Sequence, residues 1–257
     1  MSCRVIDIYN YIDTFAPFDS QCEWDNSGLL VGSKDAEVIK TGFALDATNE
    51  VINNAIKNGC NLIITHHPVI FNSLDSVETD TPVYNLIKNG INIICAHTCF
   101  DKSSVGVNKA LAEKICLSNI KQSGFNGDAS MCFTGETNIE SPEEFAAFLS
   151  EKLGTHISFY GSNKKIRTVA VCGGAGGDFI EEAAKNNIDA YVTGEIKHHE
   201  FLKASELNIS VYSAGHYETE YPAVYQLKKL IEEKFDIDCV MLNQSNPVKY
   251  YGVNNAY

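Results

Sequence analysis

The chain has 257 residues, 44% of them hydrophobic and 21% charged, a composition that excludes wholesale disorder and collagen-like repetition and allows one large or two modest domains. Its 20 basic and 33 acidic residues leave a net charge of −13, which argues against a nucleic-acid backbone or an anionic membrane as an electrostatically recruited partner. No apolar run is long enough for a signal peptide or approaches the ~20 residues of a membrane helix, so a cytoplasmic protein is expected.

Val5, Ile8, Tyr9, Ile12 and Phe15 recur at helical spacing ahead of Pro17 and predict an opening amphipathic helix. Residues 21–32 read as a loop that holds the only tryptophan. Residues 42–46 read as a buried strand, Thr48 and Asn49 cap a helix that Gly59 stops, and residues 61–65 form the next strand. The stretch Ile56-Lys57-Asn58-Gly59-Cys60-Asn61-Leu62-Ile63-Ile64 is echoed by Ile87-Lys88-Asn89-Gly90-Ile91-Asn92-Ile93-Ile94, an offset of 87 − 56 = 31 residues. That period is one helix-turn-strand unit, the signature of an α/β sheet with helical crossovers.

Looser copies lie at residues 184–193 and 207–212. Between the tight and loose copies, Ser141-Pro142-Glu143-Glu144 opens a helix. Residues 167–172 then read as a strand, followed by Gly173-Gly174-Ala175-Gly176-Gly177 and a helix from Asp178, and the last helix follows Gly215-His216. The expected fold class is α/β, with two interlocked lobes, each a sheet flanked by helices. The first comprises residues 1–125 and 215–257 and the second residues 126–214. The nine cysteines are odd in number and lack any C-x-x-C pair, so they read as reduced core residues.

Open α/β sheets carry their ligand sites at the carboxyl ends of strands. There the first copy delivers His66-His67, and the second His97 with Asp101 four residues on. The third delivers Gly194-Glu195 followed by His198-His199, and the fourth Gly215-His216 with Glu220 four residues on. Six of the seven histidines thus fall at strand ends. Imidazoles and carboxylates at this spacing suit a first-row divalent metal such as Zn, Fe, Mn, Ni or Co. Two ions suit the set better than one. Alternation along an extended chain would send His66 and His67 to opposite sides, while His216 and Glu220 share a helical face. Two cations would also give an acidic protein the local charge to attract a small anionic ligand and would lower the pKa of a shared water.

Five segments together resemble the motifs of the Nif-three-like family: residues 24–32 (WDNSGLLVG), 65–71 (THHPVIF), 96–101 (AHTCFD), 193–199 (TGEIKHH) and 215–220 (GHYETE). Bacterial members of that family are described as GTP cyclohydrolase I type 2 homologues and as dinuclear-metal-centre hexameric proteins. The resemblance runs in order over essentially the whole chain. It implies metal ligands at His66, His67, Asp101, His216 and Glu220, with Glu220 bridging two divalent ions in the cleft between the lobes and His97 close by. It also implies a ring-shaped homohexamer. Cys99-Phe100 and Leu30 depart from the usual family residues without removing a ligand.

Further candidates are weaker. Gly173, Gly174 and Gly176 are either a tight strand-to-helix turn or a substrate-phosphate cradle. Trp24 serves packing, subunit contact or the substrate entrance. His97, His198 and His199 are candidate proton movers, Asp46 is a candidate for orienting a ligand histidine, and His156 reads as structural. The leading expectation is a metal-dependent hydrolase of a nucleotide-like or phosphorylated small molecule. The alternative is a non-catalytic metal-binding regulatory or metal-chaperone protein.

Overall fold

Leu62-Ile63-Ile64-Thr65 is apolar at successive positions because the strand it forms is covered on both faces, the usual fate of a parallel strand between helical layers. The computed structural model, which describes residues 3–250, builds the rest around such strands. After α1 (Val5–Phe15) the first unit comprises β1 (Gly28–Val31), β2 (Lys40–Ala44), α2 (Asn49–Lys57), β3 (Leu62–Thr65), α3 (Pro82–Lys88) and β4 (Asn92–Cys95). Next come α4 (Thr98–Asp101), α5 (Val107–Lys114), β5 (Ser118–Gln122), β6 (Phe133–Glu136) and α6 (Pro142–Leu153). The second unit is β7 (Ser158–Tyr160), β8 (Thr168–Cys172), α7 (Ile180–Lys185), β9 (Ala190–Thr193), α8 (His198–Leu207) and β10 (Ser210–Ser213). Helix α9 (His216–Lys234) and β11 (Asp238–Met241) complete the set.

The strands form two sheets, ordered β1-β4-β3-β2-β11 and β5-β6-β8-β9-β10-β7. In the first, β2, β3 and β4 are parallel and β1 adds antiparallel to β4. In the second, β8, β9 and β10 are parallel and β7 adds antiparallel to β10. The two units therefore share one strand plan, and the loose sequence echoes at residues 184–193 and 207–212 mark the crossovers into β9 and β10. Side-chain caps start the helices where the sequence predicts: Thr48 accepts from the Val51 N–H and Ser141 from the Glu144 N–H.

The inner parallel strands of each sheet are buried on both sides. Phe43, Leu62, Ile64 and Ile94 pack against Ile8 and Ile12 of α1 and Leu227 and Ile231 of α9. Ala44, Ile63 and Ile93 pack against Ile52, Ala55 and Leu86 on the opposite face. In the second sheet, Val169, Val171 and Val192 meet Phe145 and Leu149 of α6 together with Leu111 and Ala112 of α5. Ala170, Tyr191 and Val211 meet Ile180, Ala183 and Ala204. Full burial of each large aliphatic side chain contributes about 1.5–3 kcal/mol.

Helix α5 joins the lobes, since Val107 lies in the first core while Leu111 and Ala112 lie in the second. The second sheet begins at Ser118, inside the segment assigned from sequence to the first lobe, because β5 finds its partner in β6. Chain return through α9 places β11 parallel to β2 in the first sheet. The expected loop at residues 21–32 ends in β1, which pairs with the edge of β4. Nine cysteines are unpaired, six of them buried. Among the described residues no helix is long and apolar enough to cross a membrane.

Candidate metal centre

The shared strand plan sets the carboxyl ends of β3 and β4 against those of β9 and β10. Strand β3 stops at Thr65 and the chain bends at both His66 and His67. The expected alternation of these two side chains therefore does not hold, because it belongs to extended backbone only. Their ring centroids lie 5.0 Å apart, in one shared space. His97, which caps α4 after β4, brings its ring within 5.1 Å of His66 and 5.5 Å of His67. The first turns of α9 add His216 and Glu220 on one face, as their i, i+4 spacing requires.

Glu220 is the hub. Its Oε2 lies 2.9 Å from His67 Nε2 and 3.2 Å from His216 Nε2, and its Oε1 lies 3.7 Å from His66 Nε2. Asp101 Oδ1 lies 3.7 Å from the same His66 nitrogen. Two overlapping triads result, His66-His67-His97 and His67-His216-Glu220, with the candidate ligand atoms of each within 4.8 Å of one another. Asp101 stands outside both triads but faces His66.

All four rings are oriented the same way. Each Nδ1 donates to an oxygen that can only accept: His66 to the Ala96 carbonyl at 2.9 Å and His67 to Asp46 at 2.7 Å. His97 donates to Asp25 at 2.8 Å and His216 to Glu195 at 2.7 Å. The Nε2 lone pairs are thereby turned toward the centre, the arrangement by which outer partners fix metal-ligating imidazoles. Asp46 takes the orienting role the sequence suggests for it. Asp25 and Glu195 were missed in that role. Their signal was local, for Asp25 sits inside the Trp24-Asn26 motif and Glu195 follows β9 by two residues, but nothing in the spacing paired them with a particular histidine.

The side chain of Asp25 is fully buried. Although burial opposes ionisation, hydrogen bonds from His97 and from the side chain and N–H of Thr98 hold its carboxyl well below the usual carboxylate range. At the centre, burial disfavours every charged form, yet the groups compensate one another. Glu220 is held well below its usual value by His66, His216 and His67. His67 is pushed up to about 10 by Asp46 and Glu220, and His216 to about 9 by Glu220 and Glu195. His66 is raised by Asp101 and Glu220, and Asp101 is raised chiefly by its own burial.

This centre requires positive charge, which protons or cations supply. His66 Nε2 and Glu220 Oε2 are buried and make no aligned hydrogen bond. The 3.7 Å gaps between His66 and its two carboxylates exceed a hydrogen bond and approach the ~3.3 Å expected between ligands on one tetrahedral ion with bonds of about 2.0–2.1 Å. The donor set of imidazole and carboxylate also suits a first-row divalent ion. The residues present fit a metal.

Other candidates fall elsewhere. The N–H groups of Gly173, Gly174 and Gly176 already donate to Asn108, Thr219 and Thr193, so they are not free to cradle a phosphate. What this loop requires is room: at Gly174, with φ of +65°, an added Cβ would fall 2.2 Å from Glu220 Oε1. His198 and His199 lie exposed on the first turn of α8, and among the described residues their only ionic neighbour is Glu200, 3.9 Å from His199. The geometry does not bring them to the centre, because α8 turns them outward. Trp24, 54% exposed, stacks on Phe71 at 5.9 Å and meets the edge of His97 at 5.8 Å, so it covers the His97 side of the site. His156, expected to be structural, is exposed beside Tyr250. It lines a cavity of about 540 Å³ whose wall also includes His67 and His216.

Fold and site together define a two-lobed α/β protein with a histidine-carboxylate cluster, able to hold a metal ion, between its lobes. The chain belongs to the Duf34/NIF3 (NGG1p interacting factor 3) family, whose profile matches residues 3–247. It is 34% identical to a GTP cyclohydrolase 1 type 2 homolog of Clostridium acetobutylicum over 98% of this chain and 99% of that protein. It is 30% identical to one from Campylobacter jejuni over 96% and 100%. Among solved structures it is similar to a Staphylococcus aureus protein with a TM-score of 0.89 at 26% identity, covering 97% of this chain and 99% of that one. It is also similar to reduced HcgD from Methanocaldococcus jannaschii, with a TM-score of 0.81 at 30% identity, covering 95% and 99%.

Removal of an orienting carboxylate is expected to weaken metal binding without unfolding the chain. Asp46→Ala should lower affinity for an added divalent ion by about 10- to 100-fold, measured by competition with a chromogenic chelator; an unchanged affinity would exclude the orienting role. The raised imidazole values predict a pH effect on the metal-free protein. Stabilisation by the charged imidazoles is complete below the usual 6.5 and is lost as pH rises through about 9 and 10. The thermal midpoint of chelator-treated protein should therefore fall between pH 7 and 10, and His67→Gln should flatten that slope.

Proposed function

We propose that this protein is a metal-dependent hydrolase of a nucleotide-like or otherwise phosphorylated small molecule, with two divalent ions held between its lobes. The observation that carries the reading is the convergence of four Nε2 atoms with two buried carboxylates, each ring locked from behind by an acceptor. His66, His67, Asp101, His216 and Glu220 would hold the ions, and Glu220, both of whose oxygens face imidazoles, would bridge them. Bound ions would supply the Lewis acidity that lowers the pKa of water and polarises the electrophile.

His97 is the group suited to move a proton. Its Nδ1–H is held by Asp25, its ring borders His66 and His67, and it sits under Trp24. The cavity beside His67 and His216, at about 540 Å³, is within the ~300–1,000 Å³ range of small-molecule sites. Among the described residues no Lys or Arg lines it, so attraction of an anionic group would depend on the cations. The naming of the relatives as GTP cyclohydrolase 1 type 2 homologs extends the candidate electrophiles to the imidazole ring of a purine nucleotide. The proposal includes assembly into the ring-shaped homohexamer that the sequence resemblance implies.

Protein reconstituted with Zn, Fe, Mn, Ni or Co should turn over at least one member of a panel of nucleotides, phosphoesters and cyclic amides. Glu220→Gln should lose metal and activity together, and His97→Ala should lower kcat by about 10²- to 10⁴-fold. Readily exchangeable metal with no turnover across the panel would favour the regulatory or metal-chaperone reading instead. Native mass spectrometry of the untreated protein should show a species six times the mass of one chain; a monomer at micromolar concentration would exclude the ring.

A further inference from the structure

Asp46 holds the His67 ring through Oδ1, and 36% of its side chain is exposed. A carboxylate tied at one oxygen and open to water keeps much of its freedom, because χ2 of an aspartate is a broad, soft torsion. The second oxygen is not left to solvent. Gln244 Nε2 donates to Oδ2 from a position 198 residues further along the chain. The same device recurs at His97, where Asp25 takes the ring at Oδ1 and the N–H and hydroxyl of Thr98 at Oδ2.

Strand β11 brings Gln244 to this place. Its parallel register on β2 sets Met241 opposite Phe43, and the chain stays alongside as the Leu242 N–H donates to the Phe43 carbonyl at 2.8 Å. Leu242 is buried in space that a side chain at Gly42 would take, since a Cβ there would fall 2.6 Å from Leu242 Cδ1. The Asn243 N–H then donates to Asn54 Oδ1 of α2 at 3.0 Å. The next side chain lands over the end of β2, where Gln244 Oε1 accepts from the N–H groups of Leu45 at 2.8 Å and Asp46 at 3.3 Å. With the carbonyl taken by two backbone donors, the amide NH₂ faces the carboxylate. An acid in its place would set charge against charge, and an amine would leave both N–H groups without an acceptor.

We propose that Gln244 is a positioning residue of the metal centre: by clamping the Asp46 carboxylate to the end of β2, it fixes the His67 ring with Nε2 aimed at Glu220. The path runs from Gln244 through Asp46 to His67, whose Nε2 lies 2.9 Å from Glu220 Oε2. An imidazole held from behind in this way is already turned for an arriving ion and loses little freedom on binding it. The inference rests on the reading of the cluster as a metal site, and turnover plays no part in it.

The test measures Zn affinity of the full-length protein by competition with a chromogenic chelator. Gln244→Ala should weaken binding about three- to tenfold, the equivalent of one hydrogen bond. Gln244→Glu separates positioning from simple attachment of the segment. Its oxygen still accepts from the Leu45 N–H, but it brings no donor to Asp46 and adds a like charge, so it should bind Zn no better than Gln244→Ala. In an Asp46→Ala background Gln244→Ala should cause no further loss, because the group it positions is gone. Zn affinity of Gln244→Glu equal to that of the unsubstituted protein, or an undiminished loss from Gln244→Ala in the Asp46→Ala background, would overturn the assignment. If Gln244→Ala fails to fold, the near-isosteric Gln244→Glu decides. Failure of the unsubstituted protein to bind Zn, Fe, Mn, Ni or Co would sink the metal reading and this inference with it, whereas tight binding indifferent to Gln244→Glu would sink this inference alone.

Discussion

The carboxylate of Glu220, 4% exposed, is the constraint around which the cleft is organised. Moving such a group out of water costs several kcal/mol unless positive charge and hydrogen-bond donors replace the solvent. Here the replacements come from both lobes at once. His66 and His67 arrive from the end of β3, His216 from one turn earlier on α9, and the second sheet contributes a loop that makes way for the carboxylate. Gly174 and Gly194 are therefore as much a part of the centre as the imidazoles. Side chains there would meet Glu220 or the backbone of His216 and separate the lobes that the cluster joins.

Around that hub lies an outer ring of acceptors: Asp25, Asp46, Glu195 and the Ala96 carbonyl. Each sets the tautomer of one histidine and turns the lone pair of the other nitrogen inward. The consequence is a site dense in negative charge within a chain already at −13. Such a site is suited to hold a cation, and under the proposed function an anionic ligand would meet it through that cation.

Much of the fold was legible because burial on both faces leaves continuous apolar runs. The runs at residues 61–65 and 91–94, preceded by Asn-Gly helix stops, marked β3, β4 and their crossovers, and the weaker echoes marked β9 and β10. Strands at the margins were not legible. β5 is mostly exposed and β7 has only three residues, so neither carries the apolar signal that burial imposes, and each exists through the neighbour it pairs with. For that reason the lobe boundary drawn from sequence fell a few residues beyond the start of β5.

The candidate site divides along the same line. Strand-end histidines at repeat spacing, and the i, i+4 relation of His216 to Glu220, are local properties, and the sequence by itself determined that imidazoles and acids would gather at one end of an α/β sheet. Direction was decided only in three dimensions. A bend at His66 and His67 put both rings into one space, α8 turned His198 and His199 outward, and the glycine loop committed its N–H groups to Asn108, Thr219 and Thr193. Which acceptor stands behind which ring depends on residues 21 to 72 positions apart in the chain. Spacing along one strand or helix carries no information about such pairings, because they form only where separately folded ends are pressed together by the cores beneath them.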